Sequence, residues 1–265
     1  KKGVKIGDEI RSELEISHDF GRIAAQTAKQ VIVQNLREME REVIFEEYKK
    51  KEGTVMNGIV QRFEGRNILI DLGRAVALLP VEEQIFFEQY HMGQRSKVFV
   101  MSVEKETKGP RIIVSRTHKE LIKELFALEV PEISTGVVEI KAIAREAGSR
   151  SKIAVFTNEK NIDPVGSCIG QRGIRIQTII SELGGEKIDV IEYNKDIAKF
   201  ICNALSPAKI LKIEIDEENK KATTFTREDQ LSLAIGKDGQ NVRLAAKLTG
   251  WKIDIFAQKE EEKEE

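Results

Sequence analysis

The sequence predicts a multidomain α+β chain: a helical N-terminal segment, a five-stranded OB-type β-barrel, and one αββααβ module present twice. Three observations predict it. Two Gly-x-x-Gly loops, Gly170-Gln171-Arg172-Gly173 and Gly236-Lys237-Asp238-Gly239, are each followed by the tripeptide Lys-Ile-Asp, at Lys187-Ile188-Asp189 and Lys252-Ile253-Asp254. The two offsets differ by a single residue, so one supersecondary unit recurs. Upstream, five short β-type runs crowd into the stretch 53–115. Before them a single helical period runs from residue 19 to about residue 49.

The helix is predicted from Phe20, Ile23, Ala24, Thr27, Ala28, Val31 and Ile32, which recur at three- and four-residue steps and continue through Met39 and Val43. Ser17 or Asp19 supplies a capping side chain. Little chain precedes this helix, so the surface its stripe packs on is expected upstream of Lys1. Glu52-Gly53 ends it. Strands are predicted at Gly53–Arg62, Asn67–Asp71, Ala75–Leu79, Ser96–Val103 and Arg111–Ser115, with turns at Glu64-Gly65, Leu72-Gly73 and Lys108-Gly109-Pro110. Five short strands of this spacing suit an OB-type barrel. The helical period returns at Leu121, Ile122, Leu125, Phe126 and Leu128. Each repeated module then runs helix, two strands, two helices around the glycine loop, and a last strand. The expected divisions are 1–51 for the helical part, 52–117 for the barrel, 118–194 and 195–258 for the two modules, and 259–265 for an acidic, disordered tail. No Gly/Ser-rich tract separates the modules, so they are expected to pack rigidly.

That module, with its glycine loop, is the prokaryotic-type (type II) KH arrangement, which clamps a nucleic-acid backbone. Backbone N–H groups at a helix N-terminus, with the helix dipole behind them, favour phosphate oxygens. Glycine at both ends lets a sugar-phosphate chain approach without meeting a Cβ. The candidate RNA-binding residues are Gly170, Gln171, Arg172, Gly173 and Arg175 in the first copy, and Gly236, Lys237, Asp238, Gly239 and Arg243 in the second. On the barrel, Arg62, Phe63 and Arg74 could form one aromatic face with flanking cations, although Phe63 equally suits a core position. The competing explanation for any one loop is that its glycines only cap one helix and start another.

Composition narrows the function. The chain has 265 residues, 40% apolar and 33% charged, with a net charge of −1. No global basic field exists, so a nucleic-acid surface has to be local. Two cysteines, Cys168 and Cys202, fit a reducing compartment and cannot make a metal cluster alone. No apolar run has membrane-spanning length and no secretory pattern opens the chain. A cytoplasmic location is expected. The start at Lys1, without methionine, is what a piece of a longer protein would show. His18, His91 and His118 have no partner at relay or ligand spacing, and no nucleophile–base pair or carboxylate cluster appears. No catalytic residue, metal or cofactor is predicted.

Longer motifs resemble one family, the NusA family of bacterial transcription termination/antitermination factors. They are Asp19-Phe20-Gly21-Arg22-Ile23-Ala24-Ala25-Gln26, Val114-Ser115-Arg116-Thr117-His118, Leu128-Glu129-Val130-Pro131-Glu132, Asp163-Pro164-Val165-Gly166-Ser167-Cys168, Asn203-Ala204-Leu205-Ser206-Pro207 and Gln230-Leu231-Ser232-Leu233-Ala234-Ile235. The resemblance runs from about Val4 to Phe256. It implies that the barrel is an S1 domain and that S1 and the two KH domains bind single-stranded nascent RNA. It also implies that the N-terminal helix belongs to a domain docking on RNA polymerase, with other Nus factors as further partners. Two departures stand out: most of that N-terminal domain is absent, and Leu78 stands before Leu79-Pro80 where many S1 domains place an aromatic. The alternative is an RNA-processing or degradosome-type KH/S1 protein. Polynucleotide phosphorylases place KH before S1, the reverse of the order here.

Overall fold

The computed structural model describes residues 18–107 and 109–258. The expected cap at Ser17, the turn residue Lys108 and the tail 259–265 lie outside them. Helix α1 (His18–Lys49) leads into a closed barrel of β1 (Val55–Glu64), β2 (Asn67–Asp71), β3 (Val76–Leu79), β4 (Arg95–Glu106) and β5 (Gly109–Ser115), in the order β1-β2-β3-β5-β4. All neighbours are antiparallel except β3 and β5. Alternation puts Val60, Ile68, Ile70, Ala77, Leu79, Val98, Val100, Ile112 and Val114 inside. β1 lies two residues further along than the expected Gly53–Arg62, and β4 runs longer than the expected Ser96–Val103, because paired strand ends need only backbone partners.

The last turns of α1 are tied to the barrel. Tyr48 is buried and its hydroxyl donates to the Leu72 carbonyl at 3.0 Å, while Ile44 and Phe45 pack on the same core. Arg41 reaches the Thr107 carbonyl at 3.1 Å and Lys105 pairs with Glu42, holding the helix along the β4–β5 hairpin. Further back the apolar residues are bare: Ile32 is 66% and Met39 67% exposed.

The first KH module follows directly. Helix α2 (Lys119–Glu129) is capped by His118, whose ring accepts from the Glu120 N–H and stacks on Phe99 of β4 at 4.6 Å. A short turn, α3 (Pro131–Ser134), leads to β6 (Val138–Glu146), β7 (Arg150–Thr157), α4 (Pro164–Ile169), α5 (Ile174–Glu182) and β8 (Lys187–Glu192). The second module repeats this with α6 (Ile197–Ala204), β9 (Ile210–Asp216), β10 (Lys221–Thr226), α7 (Glu228–Ile235), α8 (Gln240–Thr249) and β11 (Lys252–Ala257). Each sheet has an antiparallel and a parallel pair, in the orders β6-β7-β8 and β9-β10-β11.

Shared cores join the three parts. Phe99 of the barrel lies in one apolar cluster with Leu121, Ile122, Leu125 and Phe126 of α2 and Cys168, Ile179 and Leu183 beyond. Ala144, Ala154 and Ile191 of the first sheet lie in another with Phe200, Ile201, Leu244 and Leu248 of the second module. Buried charges pin these junctions. Arg116, 1% exposed, donates to Glu88, to the Lys97 carbonyl and to the Glu182 carbonyl. Lys152, fully buried, donates to the Ser206 carbonyl at 2.8 Å and pairs with Asp189 at 3.1 Å. Burial lowers its pKa, and Asp189 opposes that shift.

Candidate nucleic-acid interface

The two glycine loops have the same backbone. Gly170 and Gly236 have φ/ψ of 74°/172° and 75°/171°, and Arg172 and Asp238 have 53°/22° and 52°/28°. Gly173 and Gly239 close the loops at φ 77° and 71° and stand just before α5 and α8. Two non-glycine residues in the left-handed region store strain of a kind that gathers at functional sites. A helix-stop need not be repeated so closely. The matching dihedrals favour a loop built to present its two middle residues.

The glycines divide the work differently from expectation. A Cβ on Gly170 would meet Arg175 Cγ at 2.8 Å, and one on Gly236 would meet the Asn241 backbone N at 2.7 Å. The first glycine of each loop is therefore needed for internal packing as well as for its positive φ. Only the second is open: nothing lies within 4 Å of a Cβ on Gly239, and for Gly173 the nearest atom is Ile176 Cγ2 at 4.0 Å. Open space at the loop surface therefore lies at Gly173 and Gly239.

Gln171, Arg172, Lys237 and Asp238 are exposed at the loop tips. The flanking arginines lean on protein acceptors instead. Arg175 donates to Glu132 at 3.0 Å and to the Ser167 carbonyl at 2.7 Å, lining with Ile174 and Gly170 a groove of about 630 Å³. Arg243 donates to Glu146 at 2.6 Å and to the Asp238 carbonyl at 3.1 Å. Both brace their loops, Arg243 through all three guanidinium nitrogens and Arg175 through Nη1, while both side chains stay partly exposed. On the barrel the expected cluster does not form. Arg62 and Phe63 pair with Leu69 and Ile68 near the β1–β2 turn, whereas Arg74 follows the far end of β2 and pairs with Glu47 of α1 at 2.7 Å. Strand rise of about 3.3 Å per residue separates them. Phe63 is 48% exposed, which settles it as a surface side chain rather than a core one.

Cys168 is fully buried, and burial, with Glu132's charge adding, pushes its thiol pKa up to about 12. It is a small core residue and not a nucleophile. Among the described residues no group of His, Cys, Asp and Glu could hold a metal ion, and no helix is long and apolar enough to cross a membrane.

Sequence reasoning missed how the second loop is anchored. Gln240, which follows Gly239, donates to Glu146 and to the Ser149 hydroxyl, both at 2.8 Å, beside the Arg243–Glu146 pair. The β6–β7 turn of the first module thus grips the loop of the second. The hydrogen bond from Arg243 holds the Glu146 carboxyl below the usual carboxylate range, against the opposing effect of partial burial. A depressed folded pKa means the contribution is complete above the unfolded value of about 4.3 and is lost as pH falls through the lower folded one. The latch should be unchanged from pH 8 to about 5 and weaken only below about 4. Amide exchange at the β6–β7 turn measured across that range checks this; loosening already near pH 6 would contradict it.

Known families match three stretches: the NusA N-terminal domain at residues 1–42, the NusA-like first KH domain at 116–193 and the NusA-like second KH domain at 197–263. The transcription termination/antitermination protein NusA of Bacillus subtilis is 55% identical over 251 residues, 94% of this chain and 67% of that protein. The chain belongs to the NusA family. The NusA of Halalkalibacterium halodurans is 52% identical over 262 residues, covering 98% of this chain and 69% of its own, and that of Thermus thermophilus is 51% identical over 251 residues, covering 94% and 65%. The chain thus spans about two thirds of the length of these NusA relatives. Within the family architecture, the barrel occupies the position between the N-terminal and first KH matches.

Proposed function

We propose that this chain is the RNA-binding part of a transcription elongation factor, one that holds nascent single-stranded RNA beside RNA polymerase to regulate pausing, termination and antitermination. The observation that carries the reading is the pair of glycine loops, equal in dihedrals and mounted on one continuous framework, in a chain whose relatives are named for termination and antitermination. RNA contacts are assigned to Gly170, Gln171, Arg172 and Gly173, and to Gly236, Lys237, Asp238 and Gly239, with Arg175 and Arg243 as braces. Four nucleotides suit each module. The polymerase side is assigned to the residues matched by the NusA N-terminal domain, where the bare stripe of α1 awaits a partner. Other Nus factors are further partners on this reading, and the cytoplasm is its location.

Two assays test it. Labelled single-stranded RNA should be bound by the chain alone and remain intact when inorganic phosphate is added; phosphorolysis would overturn the non-enzymatic reading. RNA polymerase should be retained far better by the NusA of Bacillus subtilis, which is longer than this chain, than by this chain. Equal retention and equal effect on pausing would contradict the division of labour.

A further inference from the structure

The most exposed large apolar side chains on the described surface are neighbours. Phe86 is 90% and Phe87 75% exposed, their rings T-shaped with centroids 5.1 Å apart. They sit in the β3–β4 connection, between two residues that are firmly held. Ile85 is buried against Gly148 of the first KH module, where a Cβ would come within 2.4 Å of Ile85 Cγ2. Glu88 carries the buried Arg116. Tyr90 closes the loop: its hydroxyl accepts from the Ile85 N–H at 3.2 Å and donates to Glu88 at 2.8 Å. Anchors on both sides hold the two rings out into solvent, so their exposure is built into the fold.

The place where they are held matters. Gly148 belongs to the same β6–β7 turn whose Glu146 and Ser149 grip Gln240, the residue next to the second glycine loop. The barrel loop, the first module's turn and the second module's glycine loop thus meet at one spot. We propose that Phe86 and Phe87 form a base-stacking platform for the single-stranded RNA that leaves the second glycine loop, replacing on the barrel the strand aromatic that Leu78 lacks. This rests on the RNA-binding reading above. Exposed aromatic rings beside a backbone-gripping loop are the usual way single strands are held without sequence preference. The connection 80–94 contains no Lys or Arg, and of its three glutamates Glu83 is held by Ser115 and Thr117 and Glu88 by Arg116, leaving Glu82 exposed, so the platform takes bases while the glycine loops take phosphates. That separation gives the proposal its signature: losing the rings should lower affinity and leave the salt dependence alone.

The test is equilibrium binding of oligouridine to the full chain, with Phe86→Leu/Phe87→Leu as a double variant that keeps apolar bulk. With about a dozen nucleotides, a span within the reach of an OB-type surface, the variant should bind roughly tenfold or more weakly. With about four nucleotides, enough for one KH footprint, it should bind like the parent. The slope of log affinity against log salt should be the same for both proteins. In a Phe86→Trp variant the new indole should be quenched by the longer RNA, read against the parent, whose single tryptophan is Trp251. Unchanged affinity for the longer RNA, no quenching, or a flatter salt slope would overturn the platform. So would loss of self-association in sedimentation with RNA binding intact, which would assign the pair to a protein contact. If the parent itself bound no RNA, the functional reading would fall and the platform with it; a parent that binds while the rings prove indifferent would sink the platform alone.

Discussion

Replacing Arg116 by methionine is expected to destabilise the chain by about 3–5 kcal/mol, the usual cost of leaving one member of a buried ion pair alone. The side chains of Arg116 and Glu88 are 1% and 8% exposed, so water cannot take over for the lost guanidinium. Two carbonyls, of Lys97 in the barrel and Glu182 in the first KH module, lose their donor at the same time. The result should appear as a lower urea midpoint. The double variant Arg116→Met/Glu88→Leu should regain much of the loss, because a buried pair exchanged for apolar volume is often close to neutral. A single variant within about 1 kcal/mol of the parent would show that shared apolar packing, not this charge cluster, joins barrel to KH module.

The second large effect concerns RNA. Gln171→Asp/Arg172→Asp should weaken single-stranded RNA binding by at least about tenfold, since a hydrogen bond to a charged group contributes about 1.5–3 kcal/mol and repulsion is added. The salt slope should flatten as fewer counterions are released. The backbone should survive: the second loop already carries Asp238 at φ 52°, in the geometry Arg172 adopts. Lys237→Asp should cost less, because the second loop starts with its charges cancelled. Equal or reversed losses, with unchanged circular dichroism, would show that loop charge does not rank the two modules.

Much of this was legible because it is local. Strand alternation, the helical periods and the glycine loops depend on neighbours within a few residues, and five strands and both αββααβ units appear where those patterns lie. What escaped depends on distant partners. Nothing in the local pattern marks Arg116 and Glu88; only the meeting of the β3–β4 connection with the end of α5 buries them. Arg74 looked like a companion of Phe63 until barrel register sent it to Glu47. The first glycine of each loop carried a signal that could have been noticed: positions five residues on, Arg175 and Asn241, are where the next helix must turn back over it. Arg175 and Arg243 were read as RNA-binding residues with no hint of their protein partners, because the carboxylates that hold them, Glu132 and Glu146, lie 43 and 97 positions away. The bare stripe of α1 was visible in the periodicity, and its exposure follows from the surface that the described residues do not supply.

RNA binding by this chain depends on the two glycine loops. The most direct measurement is the affinity of the chain for a single-stranded oligonucleotide when both loops are changed together, as Gln171→Asp/Arg172→Asp/Lys237→Asp, with folding followed by circular dichroism. A folded variant whose binding is nearly abolished, and whose residual binding has lost most of its salt dependence, is the predicted result. A folded variant that binds as tightly as the parent would contradict it.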